Sequence, residues 1–260
     1  MHARHRKILE MLQTDRLYIP SAAAELGVSE MTLRRDLREL EEQKLVMMVK
    51  GGAIMHPARY EPEKSPMMLT PEKFALAEAL YDEIMPAEKL FIGSGFTSLA
   101  FAKLLARRRS GRLTVITNSL SAAASLFRAN HKVILLGGEL RSNSLELVGP
   151  LTERNLSDFD MDWMVVGCDS ASAKTGFRTW DINLARVKQR LLGCAGHAAV
   201  ITESSKFRRE NTGEEFTFAA PYQIDLLVTD PGLDAGVAAS LRRSGMQLVM
   251  RAVGSGTSWH

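Results

Sequence analysis

Residues 27–40 read GVSEMTLRRDLREL, and this stretch decides how the N-terminal segment is read. Leu33, Leu37 and Leu40 recur at i, i+4 and i+7, a stripe along one face of an α-helix. Ser29 stands just ahead of the stripe, where its hydroxyl can accept a first-turn backbone N–H. Arg34 and Arg35 sit side by side with Arg38 one turn further on, so these cations fall on faces other than the leucine stripe.

Working upstream, Ile8, Met11 and Leu12 mark one short helix, and Ala22, Ala23 and Leu26 after Ser21 mark a second, which Gly27 ends. Downstream, LVMMVKGGAI runs β-prone residues into a Gly-Gly turn, the pattern of a small hairpin. Two helices joined by a short Gly-containing turn, the second capped by Ser, outline a helix-turn-helix, and the hairpin makes it winged. The first turns of the third helix would then enter a major groove, where Arg pairs with guanine or neutralises phosphate. A solvated helix face is the alternative. Asp36, Glu39, Glu41 and Glu42 lie close by, and residues 1–55 hold nine Lys/Arg against eight Asp/Glu, so composition alone leaves both readings open.

Hydrophobic residues make up 45% of the 260 and charged residues 24%, enough to bury a sizeable core in one large or two smaller domains. A formal net charge of +3 gives no chain-wide basic field, so any nucleic-acid partner must be met locally. The two cysteines, Cys168 and Cys194, have no Cys or His at ligand spacing, which argues against a disulfide framework and a zinc site. MHARHRKILEML is not followed by a long apolar stretch, and no run approaches the roughly 18 apolar residues of a membrane span. These features place the chain in the cytoplasm, with no membrane partner, metal or cofactor expected.

MHPARYEPEKSP is rich in proline and charge without periodicity and reads as a linker. Beyond Pro71, the apolar runs KLFIG, LTVIT, KVILL, DWMVVG, AAVIT and DLLVT alternate with amphipathic pieces such as SLAFAKLLARRR and NLARVKQRLL. This alternation predicts an α/β domain on a largely parallel sheet. The boundaries are 1–56 for the helical domain, 57–70 for the linker and 71–252 for the α/β domain. Polar loops follow the strands: SGFTS opens a helix at Ser98 or Leu99, where amides attract phosphate, and TNS, GGELR and SSKF follow later runs. In open parallel sheets ligands collect at that edge. Taken singly, each loop is as well explained as an ordinary turn.

RHRKILEML, SAAAELGVSEMTLRRDLRELEEQKLV and KGGA together resemble the winged helix-turn-helix of the DeoR family of bacterial transcriptional regulators, whose recognition helix carries VS..T.RRDL..LE. The resemblance implies operator DNA as partner and Ser29, Thr32, Arg34, Arg35, Arg38 and the wing's Lys50 as its contacts. Family wings carry Arg and His before the glycines, where this chain has Met48, Val49 and Lys50. The ordered loops likewise resemble the family's C-terminal effector domain, which has the ribose-5-phosphate isomerase fold and senses phosphorylated sugars. That resemblance implies effector contacts from Ser94, Gly95, Phe96, Thr97 and Ser98, from Thr117 and Asn118, from Gly138 and Arg141, and from Asp169, Lys188 and Lys206. Three positions depart from the family pattern: Gly93 replaces an Asp, Phe96 a Thr, and Leu184 an acid in NLARVK.

The leading expectation is a repressor of carbohydrate-utilisation genes, released from DNA by a phosphorylated sugar and acting as a homodimer or higher oligomer. Two alternatives stand beside it. The larger domain is an oligomerisation module only, or the chain is a sugar-phosphate isomerase, for which Glu139, Asp169 and Asp181 are the available acids.

Overall fold

The computed structural model describes residues 3–14, 17–43, 45–49, 51–55, 69–85, 87–108, 112–141, 144–207 and 215–254. The chain divides near Met68 and Leu69 into two compact units. The segment read as a linker lies outside the described residues up to residue 68.

In the first unit, α1 (Ala3–Thr14), β1 (Leu17–Tyr18), α2 (Ile19–Leu26) and α3 (Glu30–Glu42) precede the hairpin β2 (Val46–Val49) and β3 (Gly52–Met55). Leu33, Leu37 and Leu40 are fully buried against Ile8, Leu12, Ile19, Ala22 and Val46, so the stripe builds the core as its spacing requires. Ser29 Oγ accepts the Thr32 N–H at 3.2 Å and caps α3. Gly27 closes α2 with φ +65, its N–H reaching the carbonyls of Ala23 and Ala24. Ser21 does not precede α2 as the sequence suggested. The helix starts at Ile19 with Pro20 in its first turn, and the Ser21 hydroxyl donates to the Tyr18 carbonyl at 3.2 Å.

The short strand β1, not foreseen from the sequence, adds to the hairpin to give an antiparallel sheet in the order β1-β3-β2. It explains the two glycines. Gly51 has φ +78 in the hairpin turn, and a Cβ on Gly52 would lie 1.9 Å from the Leu17 carbonyl oxygen.

The second unit opens with α4 (Pro71–Ile84) and is built on a seven-stranded sheet. Its strands, in chain order, are β4 (Lys89–Ile92), β5 (Thr114–Thr117), β6 (Lys132–Leu135), β9 (Met161–Val166), β12 (Ala195–Ile201), β14 (Leu226–Thr229) and β15 (Gln247–Met250). They pair in parallel in the order β15-β14-β12-β9-β4-β5-β6. Alternate residues feed two cores. Leu90, Ile92, Val115 and Val165 pack with α4, α5 (Phe96–Arg107) and α6 (Leu120–Leu126), while Phe91, Ile116, Met164 and Val166 pack with α8 (Ile182–Leu191) and α9 (Ala235–Arg243). Burial on both faces is why these strands read as continuous apolar runs.

Smaller pieces decorate the sheet: the hairpin β7 (Glu139–Arg141) and β8 (Glu146–Val148), the short helix α7 (Pro150–Leu156), and an antiparallel sheet of β10 (Ser170–Ser172), β11 (Gly176–Thr179) and β13 (Phe216–Ala219). Helix α5 starts at Phe96, two residues ahead of the Ser98 suggested by the sequence, because Gly95 with φ +102 takes the cap position. Among the described residues, no helix is long and apolar enough to cross a membrane.

Candidate functional site

At about 100° per residue, Met31, Arg35 and Arg38 lie on α3 opposite the leucine stripe, with Arg34 on one flank and Thr32 on the other. Arg34, Arg35 and Arg38 are exposed, and Met31 is 81% exposed. Of the four acids that left the sequence reading open, Asp36, Glu39 and Glu41 have different partners. Asp36 is buried and faces α1, where Arg4 donates to it twice, Nε to Oδ2 at 2.5 Å and Nη2 to Oδ1 at 2.8 Å. That guanidinium holds the Asp36 carboxyl below its ordinary range against the opposing effect of burial. Glu41 Oε1 accepts the Met48 N–H at 2.7 Å and so ties α3 to the wing.

Ion pairs on the exposed face come from Glu30 to Arg34 at 3.7 Å and from Glu39 to Arg35 at 3.4 Å. Arg38 has no ion pair among the described residues. Exposed i,i+4 pairs contribute only about 0.3–0.5 kcal/mol, so they leave both guanidinium groups accessible to phosphate or base edges. Ser29 and Thr32 share a hydrogen bond between their hydroxyls at 2.8 Å, at the end of α3 that would meet the groove first. Lys50 lies outside the described residues.

His5 Nε2 lies 3.6 Å from both Asp36 Oδ1 and Glu39 Oε2, and ligand-type atoms of the three residues fall within 4.8 Å of one another. Arg4 already supplies the cation that balances Asp36, so the trio reads as an electrostatic link between α1 and α3.

In the second unit the strand order reverses between β4 and β9, the position where open α/β sheets take ligands. The loops after these strands stand together there. Gly93 N–H bonds the Val165 carbonyl at 2.8 Å, and a Cβ on Gly93 would meet Val166 Cγ1 at 3.2 Å. The first bond inside α5 runs from Leu99 N–H to Gly95 C=O at 2.9 Å, so the amides ahead of it have no acceptor within the helix and form an anion-attracting end. Ser98 in that turn is fully buried, and its hydroxyl has no hydrogen-bond partner among the described residues. Thr97 and Phe96 are half-buried.

Other expected contact residues are engaged within the fold. The Thr117 hydroxyl donates to Ile92 C=O at 2.6 Å and accepts Ser119 N–H at 3.0 Å, so it orders the loop. Asn118 Nδ2 donates to the Leu147 carbonyl at 3.0 Å and holds β8. A Cβ on Gly138 would meet Thr152 Oγ1 at 2.0 Å, so close packing calls for glycine there.

Ser94 donates to the buried Glu146, which also takes Arg141 Nη1 at 3.1 Å; Arg141 reaches Asp181 at 3.5 Å as well. Asp181 caps α8 through the Leu184 N–H at 2.9 Å. Asp169 Oδ2 accepts the Thr179 hydroxyl at 2.7 Å and the Trp180 N–H at 3.1 Å. Lys188 donates to Gly167 C=O at 3.0 Å and lies 4.7 Å from the centre of the Phe218 ring. Lys206 stands on the turn Ser204–Phe207, which Asp230 anchors through the Ser204 N–H and hydroxyl, both at 2.7 Å. Burial pushes the Cys168 thiol up to about 11, opposed by a hydrogen bond to Thr202 and by the charges of Lys188 and Lys206, so both lysines act on the same end of β9. Sequence reasoning missed Glu146, because an isolated acid between apolar residues carries no motif.

A winged helix-turn-helix followed by an α/β domain with polar loops after its parallel strands defines a DNA-binding regulator with a sensor domain. The DeoR-like helix-turn-helix domain matches residues 4–57 and the DeoR C terminal sensor domain matches residues 69–231. The chain belongs to the DeoR family and is a transcriptional regulator, not an enzyme.

Among its relatives, the HTH-type transcriptional repressor CsqR of Escherichia coli is 30% identical, covering 95% of this chain and 94% of its own. The HTH-type transcriptional regulator GlpR of Haloferax volcanii is 28% identical, covering 95% and 96%. The glycerol-3-phosphate regulon repressor of Escherichia coli is 29% identical, covering 79% and 82%. Ribose 5-phosphate isomerase A of Methanocaldococcus jannaschii aligns with a TM-score of 0.40 at 16% identity, over 55% of this chain and 56% of its own.

Proposed function

We propose that this regulator is a repressor of genes for carbohydrate use, that it binds operator DNA as a homodimer or higher oligomer in the cytoplasm, and that a phosphorylated sugar or polyol at the loops after β4 and β9 releases it. One observation supports the reading: the α5 amino end with Thr97 follows β4, and the charges of Lys188 and Lys206 both act on Cys168 just beyond β9, the two strands between which the order reverses. The relative named for the glycerol-3-phosphate regulon agrees with an anionic, hydroxylated effector. Paired half-sites call for at least a dimer. An effector shifts DNA affinity only through its different affinity for two states of the protein.

The test is DNA binding at fixed salt, titrated with sugar phosphates, glycerol 3-phosphate and their unphosphorylated parents. One phosphorylated compound should release the DNA while its parent does not, and Lys206→Ala or Thr97→Ala should raise the concentration required. A second reading, a module for assembly only, draws on the internal pairing of Ser94, Glu146, Arg141 and Asp181, which leaves these groups satisfied without a ligand. Thermal unfolding separates the two readings, since an effector at about 100 times its Kd stabilises by about 2.7 kcal/mol. Absence of any shift across the panel would favour the assembly module.

A further inference from the structure

The arginines of α3 are held differently, and the difference bears on which of them reads sequence. Arg34 is engaged through a terminal nitrogen, Nη2, at 3.7 Å from Glu30. Arg35 is engaged through Nε, at 3.4 Å from Glu39 Oε1, a nitrogen other than its two terminal ones. Those terminal nitrogens are donors a guanine edge can take through O6 and N7. Glu39 also faces a buried ring. Its other oxygen, Oε2, lies 3.6 Å from Nε2 of His5, a ring 5% exposed and set equally far from Asp36, which Arg4 clamps. A continuous line of groups thus runs from Arg4 through Asp36, His5 and Glu39 to Arg35, whose side chain is 83% exposed at the far end.

An isolated exposed arginine disperses among many rotamers, and fixing it costs entropy at the moment of binding. A carboxylate that grips Nε narrows that choice, and a buried imidazole behind the carboxylate narrows the choice of the carboxylate in turn. We infer that Glu39, seated on the buried His5, is a positioning residue that presents the fork of Arg35 to a base edge, so that Arg35 reads sequence while Arg34 and Arg38 serve phosphates. The inference rests on α3 being the recognition helix.

The experiment uses the full-length protein, a duplex that the wild type selects from a randomised pool, and a scrambled duplex of equal length. Glu39→Ala should free Arg35 to serve any phosphate. Binding to the scrambled duplex then tightens, the salt slope rises by about 1, and the preference for the selected duplex falls by about tenfold. Glu39→Gln keeps an oxygen facing Nε and should restore most of that preference. In the Arg35→Ala background, Glu39→Ala should cause no further loss of preference, because the two residues act as one unit.

A merely structural Glu39 would lower thermal stability and weaken both duplexes alike. That result, or a preference within twofold of wild type for Glu39→Ala, overturns the inference. Additive losses in the double variant overturn it as well. Failure of the wild type to select any duplex would overturn the recognition-helix assignment, a result that cannot be confused with an unmoved preference ratio.

Discussion

Leu37→Ala removes most of a side chain that is fully buried in the core of the first unit. The change leaves a cavity, and large-to-small substitutions at such sites cost about 2–5 kcal/mol. A unit ending near Met68 commands only about 0.05–0.15 kcal/mol per residue, or ~3–10 kcal/mol in all. The substitution therefore uses most of that stability, whereas the second unit, with its two separate cores, is untouched. In scanning calorimetry the variant should show an early transition for the small unit and an unchanged one for the α/β unit. DNA binding should fall far more than the exposed positions of α3 would suggest. A single transition shifted as a whole, or DNA binding at wild-type strength, would refute the assignment of Leu37 to an independent small core.

Gly52→Ala should lower the stability of the first unit more than Gly27→Ala, since its Cβ meets the Leu17 carbonyl oxygen at 1.9 Å while Gly27 opens onto free space and bears only the strain of φ +65; thermal unfolding of the two variants ranks them. Because Arg4 depresses the Asp36 carboxyl, the stability it contributes is present above the ordinary carboxylate range and disappears as pH falls through the lowered value, so Asp36→Asn should destabilise at neutral pH and match wild type in strong acid when unfolding is followed by circular dichroism. With its thiol raised to about 11 and buried, Cys168 should resist alkylation at pH 8 while the less buried Cys194 reacts first, which peptide mass spectrometry reads directly.

Much of the architecture could be read from the chain, for reasons particular elements make plain. Strands β4, β5, β9, β12 and β14 lie in a sheet covered on both faces by helices, so they appear as unbroken apolar runs. The segments ELR, SAS and GFRT of β7, β10 and β11 have no such run: ELR is largely exposed, and SAS and GFRT bury the polar Ser170, Arg178 and Thr179 among their apolar residues. The two-residue β1 is too short to hold a pattern. Around α3, the Ser29 cap and the leucine stripe are local and legible. The partners of Asp36 and Glu41 are not, because Arg4 is 32 residues away in sequence and the Met48 amide lies across the turn out of α3. In the second unit, the loops were found by their place after strands, while the link from Ser94 to Glu146 spans 52 residues and follows only from folding.

The hairpin is fastened to the rest of the small unit at two points near its turn. Glu41 grips the Met48 amide from α3, and the Ile19 amide at the start of α2 donates to Gly51 in the turn at 3.1 Å. Helix and wing therefore reach the duplex as one stiff template. Encounter need not freeze a wandering loop, so the difference between right and wrong sequences should be expressed in how long the complex lasts rather than in how fast it forms.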